Sequence, residues 1–155
     1  MSSPLQIDEV TYDGSDSEYV VLANVSGGDL SLAGWILGDA EQPGNGEGMY
    51  ALPDLVLAPG GLFVAARQAD AFRALYGHRP DAAFESAGDA VQLVRRKDLA
   101  KGKLALNDSG DEIVLLAPGL QLADAVAFGK GEYGVLGLAG NLRAPAGYSL
   151  QRVPG

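Results

Sequence analysis

The sequence predicts an all-β protein, a two-sheet antiparallel sandwich with one short helix. Three observations point there. Short runs of β-branched, aromatic and aliphatic residues recur along the chain, each closed by Gly, Pro, Asn or Asp. The plainest case is the polar cluster Asn107-Asp108-Ser109-Gly110-Asp111-Glu112, which feeds straight into Ile113-Val114-Leu115-Leu116. Only one segment has helical periodicity, and it is too short to form a layer of its own.

Taken in order, Leu5 to Val10 reads as the first strand and Tyr12 to Ser17 as the turn after it. Glu18-Tyr19-Val20-Val21-Leu22-Ala23-Asn24 is a second strand, broken by Ser26-Gly27-Gly28-Asp29. Leu30-Ser31-Leu32 alternates and leads into Gly34-Trp35-Ile36-Leu37; Gly38 to Gly48 then reads as a long flexible loop. Tyr50 to Leu57 holds two short strands about a turn, and Ala58-Pro59-Gly60-Gly61 turns the chain into Leu62-Phe63-Val64-Ala65-Ala66-Arg67. The helix follows over Gln68 to Tyr76, with Ala69, Phe72, Leu75 and Tyr76 on one face and Gly77 suited to its C-terminal cap.

Beyond the helix, Gly88-Asp89-Ala90-Val91-Gln92-Leu93-Val94 and Gly110 to Leu116 share a Gly-Asp turn entering a strand, as two strands of one meander would. Gln121 to Gly129 is the next strand, a Gly-rich stretch runs to Gly140, and Gly147 to Arg152 closes the domain. About nine short strands at this spacing favour two packed sheets.

At 155 residues and 47% hydrophobic, residues 1–155 suffice for one domain with its own core. No apolar run approaches the ~20 residues of a membrane-spanning helix, and Met1-Ser2-Ser3-Pro4 lacks the basic and apolar regions of a secretory signal. The chain enters its first strand almost at once and stops at Val153-Pro154-Gly155, as expected of a domain taken from a longer protein. There is no cysteine, hence no disulfide and no thiolate site. Twenty acidic against 11 basic residues, a net of −9, disfavours nucleic acid, whose non-specific affinity rests on Lys and Arg displacing counterions. Arg95, Arg96, Lys97, Lys101 and Lys103 gather positive charge locally; a solvated loop or hairpin tip is the simplest account.

Several segments carry a family resemblance. Glu18 to Asn24, Leu30 to Leu37, Leu57-Ala58-Pro59-Gly60-Gly61, Asn107 to Ile113 and Gly147-Tyr148-Ser149-Leu150-Gln151-Arg152 resemble, in order, the successive motifs of the lamin tail domain. The resemblance implies an immunoglobulin-like β-sandwich used for docking, whose bacterial relatives accompany enzymes of secreted and surface proteins. It implies no catalytic set. Where the family usually has an acidic or polar residue in the first motif, this chain has Val21, so the face of Tyr19 and Val21 is expected to be an interaction face covered by another chain or domain.

The residues singled out are mostly structural. Trp35, the only tryptophan, is placed between the sheets behind Gly34. Gly110 is expected to take a positive φ in its turn, with Asn107 and Asp108 bonding their own backbone, and Tyr148 belongs to the closing motif. His78, the only histidine, follows the helix at Gly77-His78-Arg79-Pro80 without a nucleophile motif. Asp13, Asp16 and Glu18, and Asp108, Asp111 and Glu112, form acidic turns; calcium is the ion such loops take, yet turn formation explains both, and no cofactor is required. Tyr50, at the end of the Pro43 to Tyr50 loop, and Tyr133 are the candidate stacking platforms of a carbohydrate-binding alternative. The favoured reading is a non-enzymatic interaction module for a protein partner, a neighbouring domain or a second copy.

Overall fold

Alternation and punctuation place the strands close to where the sequence puts them. The computed structural model describes residues 3–12, 17–39, 47–104, 106, 110–129, 132–133, 138–139 and 149–152. The early strands are β1 (Leu5–Thr11), β2 (Tyr19–Asn24), β3 (Leu30–Ser31), β4 (Ile36–Gly38), β5 (Met49–Ala51), β6 (Val56–Leu57) and β7 (Leu62–Gln68). Helix α1 (Ala69–Tyr76) is followed by β8 (Ala82–Ser86), β9 (Val91–Gln92), β10 (Val94–Arg95), β11 (Gly110–Ala117) and β12 (Gln121–Gly129). The pair β13 (Glu132–Tyr133) and β14 (Leu138–Ala139) and the closing β15 (Leu150–Gln151) complete the set.

Two sheets form the sandwich. The six-stranded sheet runs β15-β1-β2-β7-β8-β9 and the five-stranded sheet β10-β5-β4-β11-β12, with β3-β6 and β13-β14 as separate two-stranded ladders. Leu22, Phe63 and Ala65 from the first sheet, and Leu37, Ile113 and Phe128 from the second, are fully buried members of one core. Burial of one such large side chain is worth about 1.5–3 kcal/mol, and their number makes this layer the main source of stability. Trp35 joins that core at 4% exposure, just ahead of β4. Gly34 turns the chain toward it at φ +85°, where an added Cβ would also lie 3.3 Å from Pro118.

Four details depart from the sequence reading. The sandwich is antiparallel except where β8 lies parallel to both β7 and β9. The Ala82-Ala83-Phe84-Glu85-Ser86 strand carries two alanines and two polar residues, so composition hid it, while the helix between β7 and β8 supplies the crossover a parallel pair needs. The echo at Val91 and Ile113 is not a meander, because the chain changes sheets at buried Leu93, leaving β9 in one sheet and β10 in the other. Gly110 belongs to β11, opposite Gly129, and not to the turn before it. Tyr12, assigned to a turn, is buried and stacked on Phe128 with ring centroids 4.2 Å apart.

Helix α1 begins and ends nearly as expected, and Gly77 caps it at φ 79° with its N–H donating to the Arg73 carbonyl. Its buried residues are Ala69 and Phe72; Leu75 is 61% exposed, so the apolar stripe is narrower than the spacing implies. The outer face of the second sheet has its own small cover. Ile36, Met49 and Val114 pack there with Ala100 from the turn after β10. The ends of the Gly38 to Gly48 loop are pinned, since the Asp39 N–H donates to the Gly48 carbonyl and the Gly48 N–H to buried Asp39 Oδ1 at 2.8 Å.

Candidate functional site

The outer face of the six-stranded sheet concentrates the apolar residues that alternation would make polar. Register puts Tyr19 opposite Ala66, Val21 opposite Val64 and Ala23 opposite Leu62, so these six share that face of β2 and β7. Over the first part of it lies α1. Tyr19, Val21, Ala66 and Phe72 form one buried cluster, and the Tyr19 ring meets Phe72 and Tyr76 edge-on at 5.3 and 5.5 Å. The Tyr19 hydroxyl donates to Glu9 Oε2. Burial and that neighbouring carboxylate push the Tyr19 phenol well above its ordinary range. The face around Tyr19 and Val21 is therefore covered, and the cover is the chain's own helix; neither residue is open to another chain.

Further along the same strands the cover ends. Leu62, at the start of β7, is 54% exposed, and Val25, the residue that follows β2, is 53% exposed. Val64, partly buried, packs against the buried cluster. Nothing local demands aliphatic side chains at Val25 and Leu62, since Asn24 already secures the turn by donating from Nδ2 to the carbonyls of Gly28 and Leu57 at 2.9 Å.

A charge network anchored on buried Glu18, the residue before β2, reaches Arg67 on β7 and Glu85 on β8. Glu18 is 1% exposed; its Oε1 accepts from Arg67 at 3.4 Å and its Oε2 from the Leu106 N–H at 3.0 Å. Arg67 also donates to Glu85 at 3.2 Å, and Gln68 Nε2 donates to the other Glu85 oxygen at 2.9 Å. Burial alone would raise the Glu85 carboxyl, but the bonds from Arg67 and Gln68 outweigh it and hold the group below its usual value.

A cleft of about 240 Å³ opens where β1 and β15 approach β12. Its charges are largely spent on closing the sandwich. Arg152 pairs with Asp124 and donates from Nε to the Ile7 carbonyl at 2.8 Å, while the Ile7 N–H donates to Asp124 Oδ2 at 2.8 Å. The bulge in β1 between Ile7 and Glu9 falls at this junction.

With the two-sheet architecture and its helix-covered face established, comparison with known proteins is decisive for family. The Lamin Tail Domain profile matches residues 1–130. The chain belongs to the lamin tail domain family. The match stops short of Gly147 to Arg152, yet β15 from that segment pairs with β1 at Glu9 and Val10. No curated protein matches the sequence. Among solved structures, a DUF4876 family protein from Bacteroides thetaiotaomicron is similar in fold, at a TM-score of 0.59 and 16% identity over 75% of this chain. This lamin tail domain spans 43% of that protein's length.

Among the described residues, the remaining candidates of this lamin tail domain do not converge on one site. His78 is exposed, with Nδ1 3.1 Å from the Arg79 carbonyl and its ring edge-on to Phe72 at 5.4 Å. Tyr50 is 2% exposed and packs against Phe84, so it is no stacking platform; the carbohydrate reading loses that residue. Glu18 is taken up by the internal network, and Glu112 is buried. Asp13, Asp16, Asn107, Asp108 and Tyr148 lie outside the described residues, as do the side chains of Asp111 and Tyr133. Among the described residues, no three His, Cys, Asp or Glu side chains gather as a metal site, and no helix is long and apolar enough to cross a membrane. Sequence reasoning missed Leu104 and Leu106, which plug the core from within the charged segment; their i, i+2 spacing was the available signal.

Proposed function

We propose that this lamin tail domain is a non-catalytic interaction module, an accessory domain of a larger bacterial surface or secreted protein. One observation carries the reading: at the end of the β2 and β7 outer face away from the helix, Leu62 and Val25, just past β2, are each more than half exposed, while Tyr19, Val21 and Ala66 on the same face are buried. A solvated antiparallel face ordinarily alternates polar residues outward, and an aliphatic strip left there marks a contact surface. The family's docking role and the absence of any need for these side chains in the turn chemistry support the same reading.

The test is site-specific photocrosslinking in the producing cell. A probe in place of Leu62 is expected to give a discrete protein adduct, and one in place of exposed Gln121 on β12 is expected to give none. Leu62→Asp should suppress the adduct formed by a probe at Val25. Equal labelling from the two positions, or none from Leu62, overturns the assignment.

A further inference from the structure

Carboxylates outnumber cations 20 to 11 in this chain, so a cation lacking an acidic partner is the exception that calls for a cause. Among the described residues, Arg67, Arg73, Arg79, Arg96 and Arg152 each pair with a carboxylate. Arg95, Lys97, Lys101 and Lys103 form no direct ion pair with a carboxylate of those residues, and all four fall between positions 95 and 103; Lys103 lies near enough to Glu85 for its charge to help hold that carboxyl low. In a protein of net charge −9, that segregation gathers positive charge in one segment of the described residues.

Two of the four, Arg95 and Lys103, line a single pocket of about 290 Å³. The fold brings them together through Tyr50. Arg95 on β10 is the register partner of Tyr50 on β5, and Lys103 precedes buried Leu104, whose N–H donates to the Tyr50 hydroxyl oxygen at 3.4 Å. Buried Phe84 and Leu93 complete the apolar wall. Glu85 is the one acid in the lining, and its two oxygens are held by Arg67 and Gln68. The lining thus carries two positive charges against one negative.

We propose that this pocket binds the carboxylate of a small ligand. Arg95 supplies a planar fork that matches a carboxylate bidentately, and Lys103 adds a second point charge. The Tyr50 oxygen already accepts from Leu104, so its proton is left to donate, and burial raises the phenol's pKa, keeping that proton on. A singly charged anion balances the lining, whereas a doubly charged phosphate meets more repulsion from the surrounding acidic protein.

The experiment is an NMR titration of the isotope-labelled protein with acetate, at ionic strength held constant with chloride, following the amides of Gln92, Arg95, Lys103 and Leu104. Saturable shifts confined to these amides are expected. Arg95→Gln, at a half-buried position, and Lys103→Gln, at an exposed one, should each weaken binding about tenfold or more, the scale of one lost charge-assisted hydrogen bond, with an unchanged melting temperature. Lys97→Gln should leave it intact. Shifts that never saturate, or that survive both pocket substitutions, overturn the site, and tighter saturation by phosphate than by acetate overturns the carboxylate assignment.

Discussion

The two ends of one sheet face are built from the same kinds of residue and have opposite fates. At one end, Tyr19, Val21 and Ala66 are buried with Phe72; at the other, Leu62 at the start of β7 and Val25 just past β2 are more than half exposed. The strands do not differ in alternation, only in whether eight residues of helix lie over them. An apolar outward residue therefore becomes core or stays exposed according to what the crossover between β7 and β8 reaches.

The sharpest way to break this comparison is to remove the cover. Phe72→Ala should cost about 3–5 kcal/mol, as much as Trp35→Ala between the sheets, because both delete a large buried ring. Urea unfolding of the two variants checks it, and a loss below 1 kcal/mol for Phe72→Ala would mean the helix is not held by that ring. Next comes a matched pair of substitutions. Val21→Asp buries an unpaired carboxylate under α1 and should cost at least about 2 kcal/mol, whereas Leu62→Asp should change stability by no more than about 0.5 kcal/mol. Similar losses at both positions would erase the distinction between the ends.

The smallest effect concerns acid. The folded protein holds the Glu85 carboxyl below its unfolded value near 4.5, so the unfolded state binds more protons in that range. The stability Glu85 contributes is present above about pH 4.5 and disappears as pH falls through the lower folded value. For a partly exposed pair this is at most about 1 kcal/mol, a melting-temperature change of about 2–4 °C for a chain of this size. Comparing melting curves of wild type and Glu85→Gln from pH 6 to 3 tests it; parallel curves would show that Glu85 contributes nothing beyond its neighbours.

Legibility followed local signals. The ends of β2 and β7 were readable because Asn24 and Gly61 punctuate dense β-forming runs, and α1 because Phe72 and Gly77 stand at helical spacing and cap. The β8 strand was not, since Ala82 and Ala83 favour no strand by themselves and are buried through parallel pairing with β7 and β9. On the outer sheet face, the sequence showed the apolar anomaly at Val21 but pointed to another chain or domain as its cover, where the structure places α1. The carboxylate pocket was visible only as a cluster of charge, because the pairing of Arg95 with Tyr50 depends on a register between distant strands.

By itself, then, the sequence determined the all-β class, the single helix, the placement of most strands and the family, because period-two patterning and turn residues act over a few neighbours. Tertiary structure alone decided that β8 joins the sheet in parallel, that α1 covers Tyr19 and Val21, and that Leu62 stays open. Those outcomes depend on which surfaces meet in space, a pairing between segments far apart in sequence that local patterning does not encode.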